Sequence, residues 1–102
     1  MLGIPLSQTP SQAFQIVLNG QDCNIELLTR GERLYMNLAV DGEDVQNGAV
    51  CINQVPIIQI PTSRFSGNMM FVDTLGDTNP SWTGLDGRYQ LVYLTQDELD
   101  NG

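Results

Sequence analysis

The chain is 102 residues long and 41% hydrophobic, enough for one compact domain and too short for two. Its 12 acidic residues face 4 basic ones, all arginine (Arg30, Arg33, Arg64 and Arg88), which gives a formal charge of −8, and it has neither lysine nor histidine. Imidazole acid–base catalysis, Ser-His-Asp and Cys-His nucleophiles, His-zinc centres and Schiff bases are thereby excluded, so the chain reads as a non-enzyme without cofactor. The acid excess repels nucleic acid and anionic membrane surfaces, and no apolar run approaches the about 20 residues that cross a bilayer.

Residues 1–10, MLGIPLSQTP, read as an extended arm broken by two prolines. Ile4 and Leu6 alternate around Pro5, as in an edge strand or a segment laid across another surface of this subunit or a neighbour. The arm has no basic stretch followed by an apolar core of signal-peptide type, which predicts a chain made for a cytoplasm, with Cys23 and Cys51 reduced. From Ala13 the period is two, with Phe14, Ile16 and Leu18 on one face and Gln15 and Val17 on the other. Asn19-Gly20 is a hairpin turn, and Cys23, Ile25 and Leu27 then alternate with Asn24 and Glu26. After Thr29–Arg33, Leu34, Met36, Leu38 and Val40 share a face opposite Tyr35, Asn37 and Ala39, and Asp41-Gly42 ends that strand.

A weaker run, Val45 with Val50-Cys51-Ile52, is interrupted by Asn47-Gly48, and Val55–Pro61 reads as an edge strand or its boundary because it carries Pro56 and Pro61. Residues 62–68 form a polar connection before the apolar Met69–Val72. The stretch Asp73–Gly87 is the longest loop and holds the single tryptophan, Trp82. Arg88–Leu94 is the last strand, with Tyr89, Leu91 and Tyr93 alternating against Val92 and Leu94. Thr95-Gln96-Asp97-Glu98 is a capping box that opens a short helix, followed by an acidic tail. These signals predict an all-β fold, a small antiparallel β-barrel or a two-sheet β-roll built from hairpins. The single domain divides into the arm at 1–10, the β core at 11–94 with its long loop at 73–87, and the short helix and tail at 95–102.

Three constellations bear on function. Asp73–Asn79 is oxygen-rich and loosely calcium-like, but it lacks the EF-hand spacing and is also ordinary turn chemistry. An intracellular small-molecule or calcium-binding β-barrel using the 73–87 loop is therefore the alternative reading. Two cysteines without histidine fall short of a zinc site and read as buried filler. In a chain this acidic, Arg30, Arg64 and Arg88 can each be reserved for a carboxylate within the fold or across an interface, while Arg33 reads as a solvated turn arginine. Arg64-Phe65 and Trp82 belong to the residue types enriched at protein interfaces, Trp82 serving either an interface or its own packing.

In order, Ile4-Pro5-Leu6, Phe14, Leu18-Asn19-Gly20, Thr29-Arg30-Gly31, Leu34-Tyr35, Asp41-Gly42, Gly67-Asn68, Phe71-Val72-Asp73-Thr74, Gly76-Asp77, Gly84-Leu85, Arg88-Tyr89 and Leu91–Thr95 to Glu98-Leu99 form a string spread over most of the chain. This string resembles the small baseplate plug proteins of contractile-tailed bacteriophages, a family first named from a cyanophage baseplate. The stretch from Val45 to Pro61 departs from the family's pattern. The resemblance implies a structural, non-catalytic component of the tail baseplate hub, carried in the virion and assembled in the host cytoplasm. It implies contacts with other baseplate, hub, and tail-tube or sheath-initiating proteins, in several copies around the tail axis. Read together with the residue types above, Ile4, Pro5, Leu6, Arg30, Tyr35, Arg64, Phe65, Trp82 and Arg88 are the candidate interface residues.

Overall fold

A computed structural model describes residues 2–58, 65, 67–85 and 87–101. The period-two stretches become a meander: β2 (Ser11–Leu18), β3 (Gln21–Arg30), β4 (Arg33–Val40) and β5 (Glu43–Val50) pair antiparallel in sequence order. Asn19 and Gly20 take φ of 52° and 77°, the left-handed pair of a two-residue turn whose twist matches that of the strands. One face of the meander is then apolar by register, with Leu18, Cys23, Ile25, Leu27, Leu34, Met36, Leu38 and Val40 all buried.

A second antiparallel sheet has the order β1-β7-β6, from β1 (Leu2–Ile4), β7 (Tyr89–Leu94) and β6 (Asn68–Asp73). Its pairing joins the two ends of the chain, Leu2 opposite Tyr93 and Ile4 opposite Leu91. Ile4, Met69, Phe71, Leu91 and Tyr93 meet the inner face of the meander in one hydrophobic core. Burying each such side chain contributes about 1.5–3 kcal/mol, so this shared core is what holds two otherwise separate sheets together. The fold is all-β as expected, with two antiparallel sheets; no closed barrel is found among the described residues.

Two local expectations change. Asn47-Gly48 does not interrupt a strand: β5 runs through it as a bulge, with the register against β4 shifting between Met36 and Ala39. The Gly48 N–H there donates to Asn37 Oδ1 at 2.6 Å, so a turn-forming pair, with Gly48 at φ 67°, is held within the bulge by the strand beside it. The described part of Val55–Pro61, through Ile58, is not a strand but an irregular cover along β6. Gln54 donates to the Phe71 carbonyl and Ile57 to the Met69 carbonyl, each at 2.8 Å, while Pro56 has no N–H to extend the ladder.

The capping box forms as read, with Glu98 N–H donating to Thr95 Oγ1 at 3.2 Å and Thr95 N–H to Glu98 Oε1 at 3.1 Å. They open the short helix α1 (Gln96–Asn101). Cys23 and Cys51 are free and buried, and burial pushes the Cys51 thiol up to about 12.

Candidate functional site

The long loop between β6 and β7 is anchored at its base by one ion pair. Asp73, the last residue of β6, has a buried carboxylate that receives Arg88 Nε at 2.7 Å on Oδ1 and Arg88 Nη2 at 2.8 Å on Oδ2. The backbone N–H groups of Leu75 and Thr78 donate to the same carboxylate at 3.0 and 2.9 Å. The Arg88 guanidinium holds the Asp73 carboxyl well below the usual carboxylate range, and the two backbone donors reinforce this. Arg88 also lies 5.2 Å from the centre of the Tyr89 ring, whose hydroxyl is 2.8 Å from Thr78 Oγ1. Both Asp73 oxygens are thus committed to the fold, which removes the first acid of the calcium-like stretch. Among the described residues no three acidic, cysteine or histidine side chains gather as a metal site would require.

Tied in this way, the loop places a 3-10 turn, Trp82–Gly84, beside the β3–β4 hairpin. Ser81, Trp82 and Thr83 face Thr29, Gly31 and Arg33 across a cavity of about 170 Å³. The buried Thr29 hydroxyl has no hydrogen-bond partner among the described residues. From the other side, the Gln8 side-chain amide donates to the Thr83 carbonyl, so the N-terminal arm braces the same turn.

The hairpin itself carries the most distinctive feature of this surface. Gly31, at φ 63°, takes the first central position of the two-residue turn Gly31-Glu32, which makes Arg30 and Arg33 directly opposed partners. In the next row of the same outer face, Leu28 opposes Tyr35. A groove of about 320 Å³ runs there, lined by Leu28, Arg30, Tyr35, Asn37 and Gly48. Like charges directly opposite one another destabilise a strand pair. Both arginines are exposed, and neither forms an ion pair among the described residues, although the chain has 12 acidic side chains.

The candidate interface residues fall into two groups. Ile4, Leu6 and Phe65 are buried in this chain's own core, Phe65 edge-on to Tyr93 with ring centres 5.7 Å apart, and Arg88 is engaged by Asp73. Arg30 and Pro5 are exposed, while Tyr35 and Trp82 are half-buried. Arg64 lies outside the described residues. Trp82 packs against the core beside Thr29 and Leu34, while Arg30 and Tyr35 lie on the outer face of the β3–β4 hairpin, where the residue that completes the patch is Arg33, which reads in isolation as a turn arginine. Its signal is the string Arg-Gly-Glu-Arg, because two arginines flanking a two-residue turn must oppose each other.

No curated protein matches the chain. Its residues 1–97 do match the model of a protein family described as the cyanophage baseplate Pam3 plug gp18. With the match running from the arm through β7 and into the terminal helix, the chain belongs to this family of cyanophage baseplate plug proteins.

Proposed function

We propose that the chain is a structural, non-catalytic part of a contractile phage tail, built into the baseplate hub and held there through the end of its β3–β4 hairpin. The family match supports the baseplate role. The observation that carries the rest is the opposed Arg30 and Arg33, without an ion pair among the described residues, beside half-buried Tyr35 on the same outer face. Arginine, tyrosine and tryptophan supply most of the energetic anchors of protein interfaces. An acidic group of a neighbour placed between the two guanidiniums relieves their repulsion and accepts charge-assisted hydrogen bonds from both. The neighbours in this reading are other baseplate, hub, and tail-tube or sheath-initiating proteins, around an axis that repeats the contact in several copies. Ile4, Leu6, Phe65 and Arg88 serve it from within, by keeping the arm and the Trp82 loop in place.

The test compares purified tails from wild type and from an Arg30→Glu, Arg33→Glu double variant, with the chain quantified by mass spectrometry. Wild type is expected at a fixed stoichiometry, and the double variant is expected to fold but to be missing from tails. A companion variant, Arg33→Gln, relieves the repulsion and is expected to raise stability by about 0.5 kcal/mol or less while weakening incorporation. Normal incorporation of the double variant overturns the hairpin as the contact, and absence of the wild-type chain from complete tails overturns the structural role.

A further inference from the structure

Among the described residues the two sheets present four outer edges, and three of them are protected. β1 is three residues long and followed by Pro5, β6 is covered by the hydrogen-bonded segment 53–58, and β5 carries Glu43 and Asp44 and a bulge at Gly48. The fourth, β2, runs for eight residues, SQAFQIVL, without a charge, a proline or a register shift. Natural sheets guard long edges with charge, proline, bulges or a covering segment, because an open edge is a template for another strand. We infer that β2 accepts an extended strand from a partner protein, one with apolar side chains at its inward positions and basic ones at its outward positions.

The backbone geometry fixes which groups are on offer. Leu18 and Gln21 close the Asn19-Gly20 turn as a hydrogen-bonded pair, so the alternate residues Ala13, Gln15 and Val17 point their N–H and C=O groups away from β3. Alongside lies a cleft of about 340 Å³ between β2 and the arm. The Gln12 amide holds its far wall, accepting from Ser7 N–H at 2.9 Å and donating to Ser7 C=O at 2.6 Å. On the cleft's inner side Phe14 and Ile16 are half-buried, which calls for apolar residues in the incoming strand. On the outer face Val17, 61% exposed, stands opposite Asp22, and Ala13 opposite Glu26, one oxygen of which accepts from Asn37 Nδ2 at 2.9 Å, and this acidic row calls for basic ones. A second copy of this chain is the wrong occupant, since it would bring the same two acids, and a second formal charge of −8, to the junction.

This inference rests on the assembly reading only in taking the strand from another tail protein, and its test works without one. The full-length chain is mixed with a synthetic peptide of alternating valine and lysine matched in length to β2, and backbone amide exchange is followed residue by residue. Protection is expected to appear at Ala13, Gln15 and Val17, while Phe14 and Ile16, already bonded to β3, stay unchanged. A peptide of the same composition with its valines and lysines in blocks is expected to give none. Gln15→Pro removes an outward N–H without touching the β3 ladder, and Val17→Lys sets a like charge against the peptide; each is expected to abolish the protection. Absence of protection, equal protection by the block peptide, or protection that follows dimerisation of the chain alone overturns the inference. In tails, normal uptake of Gln15→Pro counts against the β2 contact and leaves the assembly reading standing. Absence of the wild-type chain from tails overturns that reading, and the peptide experiment still decides the edge.

Discussion

Asp73 couples β6, the long loop and β7 through one carboxylate, and its chemistry sets how the protein responds to acid. Its folded pKa lies below the ordinary value of 3.8, because Arg88 and the loop N–H groups favour the ionised form. A depressed folded value means that the stabilisation is complete above the unfolded pKa and is lost as pH falls from there through the folded one. Wild type is therefore expected to hold its melting temperature from neutral pH down to about pH 5 with respect to this group, then to lose it progressively below about pH 4. Asp73→Asn leaves the Arg88 guanidinium without its anion and melts lower at pH 7. As pH falls toward 2 the gap between the two proteins is expected to narrow, because Asp73 of the unfolded wild-type chain takes up a proton that the folded state does not bind, and the unfolded state is thereby favoured. A gap that stays constant across thermal melts from pH 7 to pH 2 would show that Asp73 stabilises by packing alone.

At the scale of elements, the arm is part of the fold before it is anything else. β1 adds an edge to β7 and delivers Ile4, 2% exposed, and Leu6, 7% exposed, to the common core. Ile4→Ala is expected to cost about 2–5 kcal/mol in a urea titration, while Pro5→Ala, at an exposed position, stays within about 0.5 kcal/mol. Equal midpoints for Ile4→Ala and wild type would mean that the arm is not docked. The same element marks where sequence reading stops. The hairpins were legible because Asn19-Gly20, Gly31-Glu32 and Asp41-Gly42 carry their own turn chemistry, and each strand between them keeps its period. The pairing of Leu2 with Tyr93 joins residues almost the whole chain apart, and no local pattern encodes it. Asn47-Gly48 reads as an interruption, and the structure differs for a related reason: the dipeptide that makes a turn in isolation makes a bulge when β4 supplies Asn37 to hold it. Of the candidate site, residue types pointed to Arg30, Tyr35 and Trp82. The register of the β3–β4 hairpin brings Arg30 and Tyr35 together, whereas Trp82 is packed against the core, and the edge of β2 stands out only once the other three edges among the described residues are seen to be guarded.

Over the whole molecule, the distribution of charge outweighs any single pair. Of the four arginines, Arg88 serves Asp73, while Arg30 and Arg33 repel each other, so a formal charge of −8 acts across a body of 32 × 29 × 22 Å. At an ionic strength of about 0.01 M the screening length is about 30 Å, comparable to the molecule, and every acid feels every other. Near 0.15 M it falls to about 8 Å, and only neighbouring charges interact. The folded chain concentrates this charge more than the unfolded one does, so self-repulsion destabilises the native state most at low salt. The melting temperature at pH 7 is therefore expected to rise between about 0.01 and 0.15 M sodium chloride and to level off beyond. The Asp73–Arg88 pair, whose carboxylate is shielded from solvent, is screened less and does not reverse the trend. The Arg30→Glu, Arg33→Glu variant, more acidic still, is expected to show a steeper rise. A melting temperature that falls with salt would mean that attractive pairs outweigh the net repulsion, and the acidity would then no longer argue against a second copy of the chain as the strand on β2.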